Sequence, residues 1–264
     1  MTEPPEPDSE PLAAPGAEQH AIGVRERVLG LAAITAVLVA AGFGLQALRA
    51  PGGAVPAALA PEPTPTYTPV EIPDAARTGV HRSDTAATGT YRDVSLTLDP
   101  TTPAEATNAY TVRVEDGTNI DPDAAARVLQ AALDDPRGWA GFGRNNFRLV
   151  PAGPPEQEPS PAFTVTIASP ATTDDLCGPD AATEGLWSCT VGKTIVLNSD
   201  RWHYMVPSFN NLDEYRAYLI NHQVGLLLGQ RIAFCTVNGQ PAPVMAQQER
   251  ELGGCLPNAW PHLP

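Results

Sequence analysis

The stretch NHQVGLLLGQRI, residues 221–232, decides how this sequence is interpreted. The residues that lead into it, from Tyr215 to Leu228, are mostly apolar and predict a long helix that Asp213 caps. Gly229 lies where that helix is expected to end, because glycine readily adopts the left-handed conformation of a helix C-terminus. On its own the stretch predicts the end of a helix that carries one histidine, His222.

The elements before this helix alternate between strands and helices. A helix is expected to open at Asp121-Pro122-Asp123, with proline and acids in its first turn. Four strands are predicted, over Tyr110–Glu115, Asn146–Val150, Phe163–Ala168 and Thr194–Asn198. From Cys235 onward, glycine, proline and polar residues predict loops. This order predicts an α+β fold in which one late helix packs beneath a small sheet.

Charge restricts the partners that this chain can have. The formal net charge is −14, and Lys193 is the only lysine. We find no basic cluster of the kind that binds nucleic acid, so the sequence predicts no nucleic-acid partner. An acidic chain is not attracted to anionic lipids, so any contact with a membrane must be hydrophobic.

The first part of the chain predicts a membrane anchor. Residues 1–24 have the composition of a disordered cytoplasmic tail, and an uncharged run from Val28 to Leu48 follows. A helix of that length spans about 30 Å, the thickness of a bilayer core. We therefore expect a single transmembrane anchor at 25–49. A cleaved signal peptide is the main alternative, which Pro51 after the best cleavage site disfavours, and a buried soluble helix is another.

Beyond the anchor we expect a Pro-rich linker at 50–89 and an extracytoplasmic domain at 90–264. Arg25 and Arg27 precede the span, which favours a cytoplasmic N-terminus at the cytoplasmic membrane. All four cysteines follow the span, and an even number suits two disulfides in an oxidising space. Three pairings are possible, of which we prefer the local pairs Cys177–Cys189 and Cys235–Cys255. Reduced thiols or a zinc knuckle are the alternatives, and no C-x-x-C spacing supports a knuckle.

Residues 221–232 resemble the zinc helix of the metzincin metalloproteases. The pattern of that helix is His-Glu-x-x-His-x-x-Gly-x-x-His, followed by a turn that contains methionine. In the pattern three histidines bind zinc, the glutamate activates a water molecule, and the glycine ends the helix. Here Met245, in Ala-Pro-Val-Met at 242–245, lies where the methionine turn is expected.

The segment 90–264 is also similar to an uncharacterised actinobacterial domain family with this metzincin-like signature. The matching motifs are Cys235, Pro-Val-Met-Ala-Gln-Gln at 243–248, and Cys-Leu-Pro-Asn-Ala-Trp-Pro at 255–261, with further matches at 200–202 and 135–139. The resemblance implies a zincin-like fold, with a small mixed sheet, a long helix of the active-site type and a Met-turn.

The departures from this pattern concern the residues that carry the chemistry. His222 holds the first ligand position, but the glutamate is replaced by Gln223, which cannot accept a proton from water. The other two ligand positions hold Leu226 and Ile232, whereas the scaffold residues Gly229 and Met245 are retained. The resemblance therefore implies a fold without catalytic residues and without a metal or other cofactor.

Most residues around the expected cleft have ordinary structural interpretations. We expect Leu226 and Ile232 to extend the core, Met245 to pack under the former site, and Gln223 to form a hydrogen bond across the cleft. Three aromatic residues are expected either in the core or along that cleft, namely Trp202, Tyr204 and Trp260. The stretch Gly141-Phe142-Gly143-Arg144 lacks the strand–helix setting of a phosphate-binding loop.

Three functions follow from these expectations. The first is a non-catalytic module, a pseudoprotease that holds a peptide or a cell-envelope component, with the polypeptide added to the sheet edge as a further strand. The second is an active zinc metallopeptidase with an atypical ligand set, in which His203, His262 or the cysteines replace the missing ligands. The third is a structural envelope protein without a ligand.

Overall fold

The structure is a computed structural model that describes residues 67–68, 70–154 and 159–262. The predicted tail at 1–24, the predicted anchor at 25–49 and residues 50–66 of the predicted linker lie outside the described residues. Within the described ranges no helix is long and apolar enough to cross a membrane.

The described residues form a mixed α+β fold, as the sequence predicts. Its six strands are β1 (Tyr91–Asp93), β2 (Ala106–Glu115), β3 (Asn145–Leu149), β4 (Phe163–Ala168), β5 (Cys189–Val191) and β6 (Thr194–Asn198). Its helices, in the part of the chain that is described, are α1 (Asp74–Thr78), α2 (Pro122–Asp134), α3 (Pro170–Cys177), α4 (Ser199–Tyr204) and α5 (Leu212–Leu227). Two 3-10 turns cover Trp139–Phe142 and Pro179–Ala181.

The strands form one mixed sheet in the order β1-β2-β4-β6-β5, with β3 paired to the first half of β2. Strands β2, β3, β4 and β6 are parallel to one another, whereas β1 and β5 run antiparallel to their neighbours. The turn between β5 and β6 consists of Gly192 and Lys193, and the positive φ of Gly192, 56°, suits such a two-residue hairpin. Strand β5 is consequently the last strand at one edge of the sheet.

The main core lies where α2 and α5 contact the sheet and each other. Ile195 and Leu197 of β6 belong to this core, whereas Val196 between them packs with the Cys177–Cys189 disulfide in a smaller cluster. Alternate residues of a strand point to opposite faces, so β6 supports both clusters at once. The second disulfide joins Cys235 to Cys255, and the predicted local pairing is therefore confirmed.

The residues that cap the N-termini of α2 and α5 were both predicted from the sequence, and one of the two predictions is correct. The side chain of Asp121 accepts a hydrogen bond from the backbone N–H of Ala124, so α2 begins where the sequence predicts. For α5 the predicted cap is wrong. The Oδ1 of Asn211, rather than Asp213, accepts from the backbone N–H groups of residues 213 and 214 at 2.9 and 3.0 Å. Asn211 precedes the first helical residue, and this position allows its side chain to reach the free N–H groups.

Glu115, at the end of β2, is fully buried and connects three segments. Its carboxylate accepts hydrogen bonds from the backbone N–H groups of Thr88, Gly89 and Ser169 and from the hydroxyl of Thr172, at 2.7 to 3.1 Å. Burial raises the pKa of this carboxyl, but the four hydrogen bonds together hold its pKa below the ordinary value.

The chain before residue 90 also contacts the domain. Ser83 donates two hydrogen bonds of 2.6 Å to the buried carboxylate of Asp200, and the buried guanidinium of Arg201 donates to the backbone oxygen of His81. Residues 81–89, part of the predicted linker, therefore lie against the sheet and α4. The predicted domain boundaries themselves remain predictions.

Candidate functional site

The candidate site lies at the C-terminal half of α5, next to strand β5 and the turn that contains Met245. The helix ends where Gly229 adopts a left-handed conformation, with φ of 78°. The N–H of Gly229 bonds the oxygen of Leu226, and the N–H of Gln230 bonds the oxygen of Gly225, at 3.0 and 2.9 Å. This pair of bonds is a Schellman motif, which satisfies the carbonyl groups left free at a helix end.

His222 is 5% exposed, and its Nδ1 lies 2.9 Å from the backbone oxygen of Val244. A carbonyl oxygen can only accept, so Nδ1 carries the proton and Nε2 keeps its lone pair. Burial lowers the pKa of the imidazole, and the hydrogen bond to Val244 opposes this shift without cancelling it. The ring is therefore neutral at pH 7, with a fixed tautomer.

The turn that contains Met245 packs directly against α5. A Cβ on Gly225 would overlap the Sδ of Met245 and lie 2.8 Å from the ring of Trp139, so only glycine allows this close approach. The hydroxyl of Tyr218 donates to the backbone oxygen of Ala246 at 3.0 Å. Met245 is thus a buried packing residue beside the helix, as the sequence analysis expects.

Gln223 joins α5 to the edge strand. Its Oε1 accepts a hydrogen bond of 2.8 Å from the hydroxyl of Thr190 in β5, and that hydroxyl also lies 3.1 Å from the backbone oxygen of Gln223. Gln223 is 2% exposed. The carboxamide therefore spans the gap between the helix and the last strand.

The two apolar residues Leu226 and Ile232 differ in their environments. Leu226 is partly buried and packs against the main core, as expected. Ile232 is 38% exposed, and the expectation that it belongs to the core is wrong. It follows Gly229, where the chain leaves the helix, so its side chain is not carried onto the buried helix face.

The residues considered as replacement ligands are engaged elsewhere. The Nε2 of His203 lies 2.8 Å from the backbone oxygen of Thr118, and the ring of His262 packs edge-on against Phe142. Cys235 is in a disulfide. Among the described residues no group of three His, Cys, Asp or Glu side chains is placed to hold a metal ion.

The three aromatic residues that were expected in the core or along a cleft lie in different environments. Trp202 is buried beneath the guanidinium of Arg216, and Tyr204 contacts His81. Trp260 lies under Arg137 in a groove between α2 and α5. Thr190 is not among the residues predicted from the sequence, because its role depends on a strand of only three residues. The Gly-Lys turn that follows β5 was the only local signal for that strand.

Comparison with known sequences identifies one family. A model of the family described as "Protein of unknown function (DUF3152)" matches residues 78–254, more than half of the chain. No curated protein and no solved structure matches the chain.

Proposed function

Since the chain belongs to the DUF3152 family of proteins of unknown function, we propose a function from the geometry around His222: a non-catalytic module that binds an extended peptide at strand β5. In this proposal the fold is a metzincin-like one whose zinc site has degenerated. The observation that carries the proposal is the hydrogen bond from Thr190 to Gln223, which holds an open sheet edge against the helix.

Several features support the relationship to a zinc helix. The long helix lies beside an antiparallel edge strand, ends at Gly229, and packs on a turn that contains Met245. His222 has its Nδ1 proton held by a backbone carbonyl, and the Nε2 lone pair is left for another partner. Histidines that bind metals in proteins are oriented by the same kind of hydrogen bond.

The side chains at this place do not fit a catalytic zinc ion. Such an ion needs three protein ligands and an open position for water, and His222 alone supplies one imidazole. Leu226 and Ile232 have no donor atom, and Gln223 has no basic oxygen to take a proton. The contacts of His203 and Cys235 argue against the alternative of an active peptidase with an atypical ligand set.

An open strand edge suits a peptide ligand. Edge strands present N–H and C=O groups that a further strand can pair with, and the peptide side chains then determine specificity. Val191 at the end of β5 is 44% exposed, and Phe234, on the chain after α5, is 73% exposed. These surfaces favour a peptide with apolar side chains.

The proposed location is the outer side of the cytoplasmic membrane. The two disulfides suit an oxidising compartment, and the predicted anchor at 25–49 would hold the domain there. Recovery of the full-length protein in the membrane fraction, with its disulfides formed, tests this location. Recovery of a reduced protein in the soluble cytoplasmic fraction would contradict it.

Restoring the zinc ligands tests the fold relationship. We expect the native full-length chain, in mild detergent, to bind no zinc. The variant Gln223→Glu/Leu226→His/Ile232→His should bind about one zinc per chain if the fold is metzincin-like, because it restores the three imidazoles of that pattern. Elemental mass spectrometry gives the metal content. The control is Gln223→Glu/Leu226→Ala/Ile232→Ala. Stoichiometric zinc in the native protein would overturn the proposal.

Peptide selection tests the binding role. The full-length chain should enrich extended apolar peptides from a random library, with or without a chelator. A bound peptide should protect the amide of Thr190 from hydrogen exchange, because the amides of Cys189 and Val191 already face β6. Val191→Lys should weaken binding at least about tenfold, while Val237→Lys, at an exposed valine outside β5, should not. If no peptide is enriched, or if Val191→Lys has no effect, the structural-protein alternative is favoured.

A further inference from the structure

We infer that the cavity beside the loop 138–144 binds a sugar ring that carries a carboxylate. The cavity measures about 560 Å³ and is lined by Trp139, Phe142, Arg144, Asn145, Leu228 and Gln230. This volume is within the range of small-molecule sites. The inference is independent of the peptide-binding proposal, because the cavity residues are distinct from β5 and His222.

The loop is built to hold Phe142 in one place. A Cβ on Gly141 would overlap the backbone oxygen of Pro136, and Gly143 adopts a left-handed conformation with φ of 73°. Two backbone hydrogen bonds hold Gly143. Its N–H donates to the oxygen of Ala140 at 2.9 Å, and its oxygen accepts from the N–H of Glu105 at 2.8 Å. Gly141 is therefore required by close packing, whereas Gly143 is required by its backbone conformation.

Phe142 is 49% exposed, although burial of a phenylalanine ring generally stabilises a fold. Its ring lies 5.9 Å from the ring of Trp139 at an angle of 33°, and the ring of His262 meets it edge-on at 5.3 Å. The indole N–H of Trp139 in turn donates to the backbone oxygen of Asn221 at 2.8 Å. Two aromatic rings are thus held beside the cavity as a platform, defined here as Trp139 and Phe142.

The polar side chains of the cavity have donor groups without a protein partner, and those of Arg144 and Gln230 are open to solvent. Within the described residues the side chains of Arg144 and Gln230 make no hydrogen bond or ion pair, and Asn145 uses only its Oδ1, which accepts from Asn108 at 3.0 Å. No carboxylate lines this cavity, although the net charge of the chain is −14. A free guanidinium in such surroundings selects an anionic ligand.

A carboxylated sugar ring satisfies both halves of the cavity. The C–H face of a sugar stacks on aromatic rings, while its hydroxyl groups accept from amides and its carboxylate from the guanidinium. An inorganic anion would leave the aromatic platform unused, and a neutral sugar would leave Arg144 without a partner.

Titration of the full-length chain with tetragalacturonate, followed by calorimetry, tests the inference, with galactotetraose as the neutral comparison. We expect the uronate to bind at least about tenfold more tightly than the neutral sugar, and Phe142→Ala and Arg144→Gln each to weaken uronate binding about tenfold. Phe142→Trp should retain binding. Phe234→Ala removes another exposed phenylalanine, in a different cavity, and should change nothing.

Three results would overturn the inference: no binding of the uronate to the native chain at about 5 mM, equal binding of the two sugars, or unchanged binding by both Phe142→Ala and Arg144→Gln. Both substituted side chains are at the surface of the loop, and the melting temperature of each variant shows whether it has folded. The peptide-binding proposal and the sugar-binding inference can be tested separately, because Val191→Lys should leave uronate binding intact.

Discussion

His222 shows at the residue scale how one hydrogen bond determines the chemistry that a side chain can perform. The backbone oxygen of Val244 holds the proton on Nδ1, and burial disfavours a second proton on the ring. The ring is therefore a neutral acceptor at Nε2.

The ionisation of His222 can be measured. Because burial lowers the pKa of the imidazole, we expect it to titrate below the ordinary value of 6.5, with the proton on Nδ1 at neutral pH. Nitrogen NMR of the histidine rings, with His222→Gln to assign the signal, provides both observations. A pKa at or above 6.5, or a proton on Nε2, would contradict the described geometry.

Gly225 is required by packing rather than by backbone conformation. Gly225→Ala should lower the free energy of unfolding by about 1–3 kcal/mol, since the added methyl group overlaps Met245 and Trp139. Chemical denaturation measures the change. The double variant Gly225→Ala/Met245→Ala should lose less than the sum of the two single changes, because it relieves part of the overlap. Additive losses would show that the two residues do not compete for space.

At the scale of elements, the position of α5 determines the site, and its N-terminus is capped by Asn211. Asn211→Ala should lower the free energy of unfolding by about 1 kcal/mol, because two backbone N–H groups lose their acceptor. Asp213→Ala is the matched control, since Asp213 makes only an exposed ion pair with Arg216 at 3.5 Å. Thermal unfolding of both variants decides between the two residues, and a larger loss for Asp213→Ala would restore the cap predicted from sequence.

Strand β5 is the element on which the proposed peptide site depends, and it is only three residues long. One such strand is weakly stabilised by itself. Its position is held by the Cys177–Cys189 disulfide at one end and by the Thr190–Gln223 hydrogen bond at its centre. A covalent link and a buried polar contact thus keep an open edge in register.

At the scale of the whole molecule, Glu115 connects the segment before β1, the end of β2 and the start of α3. Glu115→Gln should lower the free energy of unfolding by roughly 2–3 kcal/mol at pH 7. A neutral amide would replace the carboxylate, and its NH₂ group would face the N–H and O–H donors that the carboxylate now accepts from. Folding keeps the pKa of Glu115 below its ordinary value of 4.5. Its contribution is therefore complete above pH 4.5 and is lost as the pH falls through the lower folded value.

Urea denaturation of the native and Glu115→Gln proteins between pH 7 and pH 3 checks this dependence. The difference between the two proteins should shrink as the pH falls. The control is Asp93→Asn, at an exposed carboxylate of β1 that makes no side-chain hydrogen bond or ion pair with the described residues. A difference that stays constant with pH would mean that the ionised form of Glu115 is not what stabilises the fold.

The sequence by itself determined much of the element pattern. Phe163–Ala168 and Thr194–Asn198 are strands with the predicted bounds, and α2 begins at the predicted cap, because alternation, helical spacing and capping act between near neighbours in the chain. The preferred local pairing of the cysteines, one of three that the sequence allows, is also the pairing in the structure.

Tertiary structure alone decided how the site is assembled. Thr190 meets Gln223, Val244 meets His222 and Trp139 meets Gly225 across separations that no local pattern reports. The same reason explains the exposure of Ile232, because the direction of the chain after Gly229 depends on what packs around it. Local propensities determine which helices and strands form. Contacts between segments that are distant in the chain determine which side chains meet, and those contacts exist only once the sheet and α5 have packed together.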